Sequence, residues 1–126
     1  MILIFGGVYQ GKLEYALQRF ALTCGDVYYC HEEDIALPEG KKIIYELDKW
    51  ILALLKEDRD IPESLHRFMQ ANGEAVVICH DISCGVVPAD ALLRQWREAV
   101  GCSLMELSRT AEEVIRLFCG LPARLK

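Results

Sequence analysis

The chain has 126 residues, 52% of them hydrophobic and 26% charged, with a formal net charge of -5, which indicates one globular domain spanning residues 1–126. The acidic balance excludes the basic surface that nucleic-acid binding requires. No apolar stretch approaches the roughly 20 residues that span a bilayer, and no signal peptide is recognisable, so we expect a cytoplasmic protein without membrane contact.

A strand over residues 1–5, a glycine-rich loop and an amphipathic helix come first. Gly6, Gly11 and Lys12 have the Gly-x-x-x-x-Gly-Lys spacing of a phosphate-binding loop (P-loop). In such loops a Ser or Thr after the lysine holds magnesium, but here that position is Leu13. The sequence therefore predicts a nucleotide cradle without its magnesium ligand. The alternative is a plain tight turn between strand and helix.

The backbone of this loop is expected to bind the phosphates of ATP or GTP, and no residue is predicted to bind a metal ion. The predicted binding residues here are Gly6, Gly7, Val8, Tyr9, Gln10, Gly11, Lys12 and Leu13. Lys12 is also a candidate catalytic residue, because a P-loop lysine reaches the terminal phosphates.

Residues 26–30 and 42–46 are the next predicted strands, separated by a polar loop. A helix with apolar residues at helical spacing follows the second of them, and another ends at Asn72 and Gly73. The apolar positions of these helices are Leu47, Trp50, Ile51, Leu54, Leu55, Leu65, Phe68 and Met69. Core packing explains Trp50 better than base stacking does.

The continuously apolar residues 75–79 predict a central parallel strand that is covered on both faces. A loop over residues 80–88 follows, with His80 as a candidate ligand-binding residue and Asp81 as a candidate catalytic acid or base. The rest of the chain predicts a long helix, a strand over residues 113–119 and a short strand over 123–125. The inward positions of the helix are Leu92, Leu93, Trp96, Val100, Leu104 and Leu107.

Six cysteines are scattered through apolar segments, and we expect them to be reduced and mostly buried. Cys30-His31 and Cys79-His80 place soft ligands beside strand ends, but their spacing matches no standard zinc pattern.

Strands that alternate with helices predict a three-layer α/β fold of the P-loop NTPase type, with a mostly parallel sheet and helices on both faces. Ligands bind such sheets beyond the carboxyl ends of the strands. Residues 6–12, 45–48 and 80–87 all fall there, so we expect these three polar loops to meet in one crevice.

The second half of the chain carries a family resemblance, in residues 83–88, 94–101 and 119–126. The sequences are Ser-Cys-Gly-Val-Val-Pro, Arg-Gln-Trp-Arg-Glu-Ala-Val-Gly and Cys-Gly-Leu-Pro-Ala-Arg-Leu-Lys. Together with the Gly-Gly loop, they resemble the adenosylcobinamide kinase/adenosylcobinamide-phosphate guanylyltransferase family of cobalamin biosynthesis. The resemblance implies a nucleotide and a corrinoid as partners and a trimeric assembly. Arg94 and Arg97 match family arginines, as phosphate contacts or as members of surface salt bridges.

The chain departs from the family pattern at several positions. The family's Asn-Glu pair falls on His80 and Asp81, and its Walker B-like aspartate falls on Tyr45, with Glu46 or Asp48 as possible substitutes. The family's long segment with a guanylylated histidine among arginines is reduced to residues 31–41, in which His31 has no arginine neighbour. Guanylyl transfer therefore lacks its nucleophile.

Three functional hypotheses follow. The first is a shortened, catalytically degenerate member that binds a purine nucleotide or a corrinoid. The second is a divergent adenosylcobinamide kinase that uses Lys12 and Asp81, with magnesium held mainly by ATP or GTP and water. The third is a non-catalytic interaction subunit.

Overall fold

The structure, a computed structural model, describes residues 1–82 and 89–126. Its strands are β1 (Ile2–Gly6), β2 (Val27–Tyr29), β3 (Ile43–Tyr45), β4 (Val76–His80), β5 (Glu113–Phe118) and β6 (Leu121–Arg124). Its helices are α1 (Lys12–Arg19), α2 (Leu47–Lys56), α3 (Ile61–Ala71) and α4 (Ala91–Thr110).

The six strands form one sheet in the order β2-β3-β4-β1-β5-β6, with only β6 antiparallel to its neighbour. β1 lies between β4 and β5, so that Ile4 is opposite Ile78 on one side and Ile115 on the other. All five residues of β4 are buried, as a parallel strand covered on both faces requires.

Apolar residues pack on both faces of the sheet. Ala16 of α1 packs against one face together with Ile4 and Ile43. On the other face, Trp50, Phe68 and Val100 of α2, α3 and α4 form the larger cluster. The predicted three-layer α/β architecture, with a mostly parallel sheet and helices on both faces, is therefore confirmed.

Local signals set the ends of the helices. The Asp60 side chain accepts a hydrogen bond from Glu63 N–H at 2.9 Å, and Asp90 caps the long helix α4 in the same way. α2 begins directly after β3, because Glu46 takes a left-handed conformation with φ of 62° and turns the chain sharply. This short connection keeps the first turn of α2 beside the carboxyl ends of the strands.

Several details differ from the sequence predictions. Asp26 belongs to a short 3-10 turn, Cys24–Asp26, and not to β2. Leu93 is exposed, because α4 presents that side of its first turns to solvent. Of the five described cysteines only Cys30 and Cys79 are buried, so the expectation of mostly buried thiols was wrong.

Part of the predicted loop over residues 80–88 lies outside the described residues, namely positions 83–88. In the described ranges, no helix has both the length and the apolar character that crossing a membrane requires.

Candidate functional site

The glycine-rich loop is a tight turn between β1 and α1. Tyr9 and Gly11 both have left-handed backbones, with φ of 59° and 83°, and they turn the chain back towards the sheet. Within the described residues, the N–H groups of residues 8–14 donate to no backbone carbonyl. Donors of this kind at a helix N-terminus are suited to binding an anion.

Neither of the two bulky side chains Tyr9 and Leu13 fills this turn. Tyr9 is 98% exposed and points away from the protein core. Leu13 is half-buried and packs against the cluster that includes Ala16 on the α1 face of the sheet. Leu13 therefore takes part in core packing at the position where a working P-loop has a magnesium-binding hydroxyl.

Lys12 is buried at the start of α1, with only 3% of its surface exposed. Its Nζ donates to the carbonyl oxygen of Gly7 at 2.5 Å, so the side chain folds back over the loop. Burial lowers the pKa of Lys12, and the nearby carboxylate of Asp48 opposes that shift. The ammonium group is thus held between the loop and the first turn of α2.

Gln10 connects the glycine-rich loop to the edge of the sheet that β5 and β6 form. Its Oε1 accepts a hydrogen bond from Cys119 N–H at 2.5 Å, and its carbonyl oxygen accepts one from Gly120 N–H at 3.1 Å. The turn between β5 and β6 therefore supports the loop from the side. The sequence offered no signal for this contact, because 109 residues separate Gln10 from Cys119.

Asp48 is the second buried charged residue of the site, with 2% exposure. Its Oδ1 accepts a hydrogen bond from His80 N–H at 3.0 Å, and its Oδ2 lies 3.2 Å from Nδ1 of the same residue. Its backbone carbonyl accepts from Trp96 Nε1–H at 2.7 Å. Asp48 thus connects α2 with β4 and α4.

A cavity of about 540 Å³ opens beside Lys12. Its walls come from the loop and α1, the β3–α2 connection, the end of β4, and α4. They consist of residues 8–12, Glu14, Tyr45, Glu46, Asp48, Lys49, His80, Ile82 and Trp96. We call this space the Lys12 cavity. The described parts of the three predicted polar loops therefore do meet in one crevice.

The walls of the Lys12 cavity carry charges of both signs. Glu46 forms an ion pair with Lys49, one turn along α2. Burial, followed by the proximity of Glu46, raises the pKa of Tyr45 to about 12, so the phenol is neutral at ordinary pH. Tyr45 also forms an edge contact with the His80 ring, with centroids 6.1 Å apart.

The predicted site residues divide into two groups. Residues 8–12 and His80 line the Lys12 cavity, whereas Gly6, Gly7 and Leu13 support its loop without lining it. Asp81 lies in a separate surface depression, together with Arg94 and Arg97.

The other candidates of the sequence analysis are also placed. The exposed His31 does not line the Lys12 cavity. Trp50 packs against Phe68 in the core, with ring centroids 5.5 Å apart, as predicted. Trp96 combines core packing with a position on the cavity wall, which its apolar helix face did not reveal. Asp48, which the family resemblance offered as a substitute for the Walker B-like aspartate, lies on the cavity wall.

The donor set that the described residues give this cavity does not fit a magnesium ion. The hydroxyl position is Leu13, both oxygens of Asp48 face groups of His80, and Glu46 is paired with Lys49. Magnesium requires oxygen ligands in near-octahedral geometry. In the described part of the chain, no three His, Cys, Asp or Glu side chains are grouped so that they could hold a metal ion.

Comparison with known families identifies the chain. The CobU family model, described as cobinamide kinase / cobinamide phosphate guanyltransferase, matches residues 38–125. This region contains Asp48 and His80 and begins after the glycine-rich loop. A comparison with curated proteins finds no match. Because the family model covers more than half of the chain, the protein belongs to the cobinamide kinase / cobinamide phosphate guanyltransferase family.

Proposed function

We propose that this protein binds a purine nucleotide in the Lys12 cavity and has weak or no phosphoryl-transfer activity. Its family connects it with nucleotide-dependent transfer in cobalamin biosynthesis. One observation carries the proposal: a buried lysine lies at the end of a glycine turn beside a cavity of about 540 Å³ that lacks a magnesium donor set.

Binding is supported by the loop itself. N–H groups over residues 8–14 have no backbone acceptor among the described residues, and Lys12 adds a positive charge at the same place. A phosphate that enters the turn accepts hydrogen bonds from these donors and is stabilised by the positive end of the helix dipole. The Gly7 carbonyl that now accepts from Lys12 Nζ would give way to a phosphate oxygen.

Weak transfer is supported by the missing electrostatics. Phosphoryl transfer depends on positioning and on a metal ion that bridges the phosphates, and the removal of one such stabilising group commonly costs ~10²–10³ in rate. Of the substitute acids, Asp48 and Glu46 have partners within the protein, and Asp81 lies outside the cavity. The remaining residues hold and orient a ligand, but they do little to stabilise a transferring phosphoryl group.

Guanylyl transfer lacks a nucleophile in this proposal. The interval between β2 and β3 is short, and its His31 is exposed and does not line the cavity. We therefore regard residues 1–126 as a P-loop domain without the segment that carries the guanylylated histidine. Corrinoid binding and trimer formation are further expectations from the family.

A divergent kinase is the second candidate, because the carboxylate of Asp48 is close enough to Lys12 to oppose the lowering of its pKa. A lysine at this position of the loop can contact the phosphates of a bound nucleotide. A non-catalytic interaction subunit is the third, with the loop as inherited architecture.

Calorimetric titration with ATP, GTP and GDP, with and without magnesium, tests the proposal. We expect micromolar binding that Lys12→Met weakens at least tenfold. Lys42→Met is the matched control, because Lys42 is exposed and lies outside the cavity. If no nucleotide binds, the nucleotide hypotheses are excluded and the interaction subunit remains.

Incubation with adenosylcobinamide and labelled ATP or GTP then distinguishes a nucleotide-binding protein without transfer activity from a divergent kinase. We expect no phosphorylated corrinoid above the background of the Lys12→Met protein. Phosphorylation that exceeds this background and requires magnesium would favour the divergent kinase.

A further inference from the structure

We propose that the preferred ligand of the Lys12 cavity carries a single phosphate and binds without magnesium, as a purine nucleoside monophosphate does. This inference rests on nucleotide binding at the cavity, and it specifies the phosphorylation state of the ligand. It departs from the magnesium–triphosphate chemistry that a P-loop ordinarily serves.

The first step concerns the metal. Leu13 packs into the core, both oxygens of Asp48 face His80, and Glu46 is paired with Lys49. Recruiting Asp48 Oδ2 to a magnesium ion would displace its 3.2 Å contact with His80 Nδ1, which is unfavourable for this buried pair. Glu14 is the third wall carboxylate, and its charge faces Lys12. The described walls therefore supply no set of free oxygen ligands that would hold magnesium between two phosphates.

The second step concerns charge. The described walls carry three carboxylates, Glu14, Glu46 and Asp48, against the two ammonium groups of Lys12 and Lys49. Among these five groups the acids outnumber the bases by one. A magnesium-free triphosphate would bring two further negatively charged phosphates to walls whose carboxylates outnumber their ammonium groups.

The third step concerns the phosphate that does fit. A single group in the turn meets the N–H donors of residues 8–14 and the buried ammonium of Lys12. These donors all lie at the turn, so a single phosphate group placed there meets them directly. The balance of attraction and repulsion thus favours a monoester.

Calorimetry with AMP, ADP, ATP, GMP, GDP and GTP tests the inference, in EDTA and again in excess magnesium. We expect the better monophosphate to bind at least tenfold more tightly than its triphosphate in EDTA, and magnesium to change the triphosphate Kd less than threefold. Tighter triphosphate binding in magnesium, by tenfold or more, would overturn the inference and leave nucleotide binding intact. No binding of any nucleotide would overturn both.

A charge variant provides the second arm. Glu46→Gln removes one wall carboxylate and releases Lys49, so triphosphate affinity in EDTA should rise about three- to tenfold more than monophosphate affinity. Glu74→Gln, on the exposed turn before β4, is the matched control and should change neither. Equal effects of Glu46→Gln on both ligands would contradict the charge argument.

Discussion

At the scale of single residues, Gly6 shows why the loop needs a glycine at its first position. A Cβ atom built on Gly6 would collide with the backbone carbonyl oxygen of Leu117 on the neighbouring strand β5. A backbone atom in a central sheet cannot move aside cheaply, so this glycine allows β1 and β5 to pair up to the point where the loop begins.

We expect Gly6→Ala to lower the free energy of unfolding by about 3 kcal/mol or more, because the clash must be relieved by shifting a strand. Gly73→Ala is the control, since a Cβ there has no heavy atom within 4 Å. It should stay within about 0.5 kcal/mol of the wild type. Urea unfolding of both variants measures the difference, and equal stabilities would refute the close-approach argument.

Lys12 predicts a dependence of ligand affinity on pH. Its pKa lies below the ordinary 10.5 because of burial, so it loses its proton at lower pH than an exposed lysine does. Phosphate affinity should therefore fall as the pH rises through that lowered pKa. Titration with an adenine nucleotide, whose base has no acidic proton in this range, measures the fall, and it should be absent in Lys12→Met.

The lowered pKa of Lys12 makes stability change with pH in the direction opposite to ligand affinity. Between the lowered pKa and 10.5 the unfolded chain binds more protons than the folded one, so the contribution of Lys12 to the free energy of unfolding rises with pH. Tyr45, with a pKa of about 12, stays neutral throughout this window. A nucleotide affinity that does not change up to pH 10.5 would contradict the lowered pKa of Lys12.

Sequence spacing could place residues together only where they are close along the chain. Gly11 and Lys12 are close in sequence, so the motif alone places them together. Asp48 and Trp96 are different, because their relation to Lys12 and His80 depends on how α2 and α4 pack on the sheet. A single sequence does not describe that packing, so it could not show that Asp48 lines the same cavity as Lys12 whereas Asp81 does not.

At the scale of elements, the turn between β5 and β6 is a structural part of the site. Gln10 joins the loop to this turn through one side-chain and one main-chain hydrogen bond. The turn between β5 and β6 therefore supports the glycine-rich loop, and the loop N–H groups keep their orientation.

Gln10→Ala should reduce nucleotide affinity about fivefold or more, because the Cys119 N–H loses its acceptor and the loop loses its support. A hydrogen bond of this kind contributes about 1 kcal/mol, which corresponds to about that factor. Gln18→Ala, on the exposed face of α1, is the matched control. Calorimetry on both variants tests this, and unchanged affinity in Gln10→Ala would show that the loop is rigid without the contact.

Periodicity was sufficient to predict the elements and their order, because apolar spacing of 3.6 or 2 residues is a local property. Periodicity was less informative about the first and last residues of each helix and strand. The 3-10 turn at Cys24–Asp26 and the start of β6 at Leu121 depend on partner strands and on capping contacts. The exposure of Cys102 and Cys119 likewise depends on which faces meet, and composition does not determine that.

At the scale of the whole molecule, Asp48 is the point where the site and the fold depend on each other. Asp48 contacts β4 through the backbone N–H and ring of His80, and α4 through the indole N–H of Trp96. Its charge also acts on Lys12 of α1. A buried carboxylate is costly unless its oxygens accept hydrogen bonds, and here both oxygens face donors or a ring nitrogen. The acid therefore ties the layers together and shapes the cavity.

We expect Asp48→Ala to lower the free energy of unfolding by about 2–4 kcal/mol, because it leaves a buried N–H of His80 without an acceptor and Lys12 without its nearest opposing charge. Asp48→Asn should cost less, since its amide oxygen still accepts from that N–H. Glu57→Ala, at the exposed end of α2, is the control. Urea unfolding of the three variants orders them, and an Asp48→Ala protein as stable as Glu57→Ala would show that the buried carboxylate does not hold the layers together.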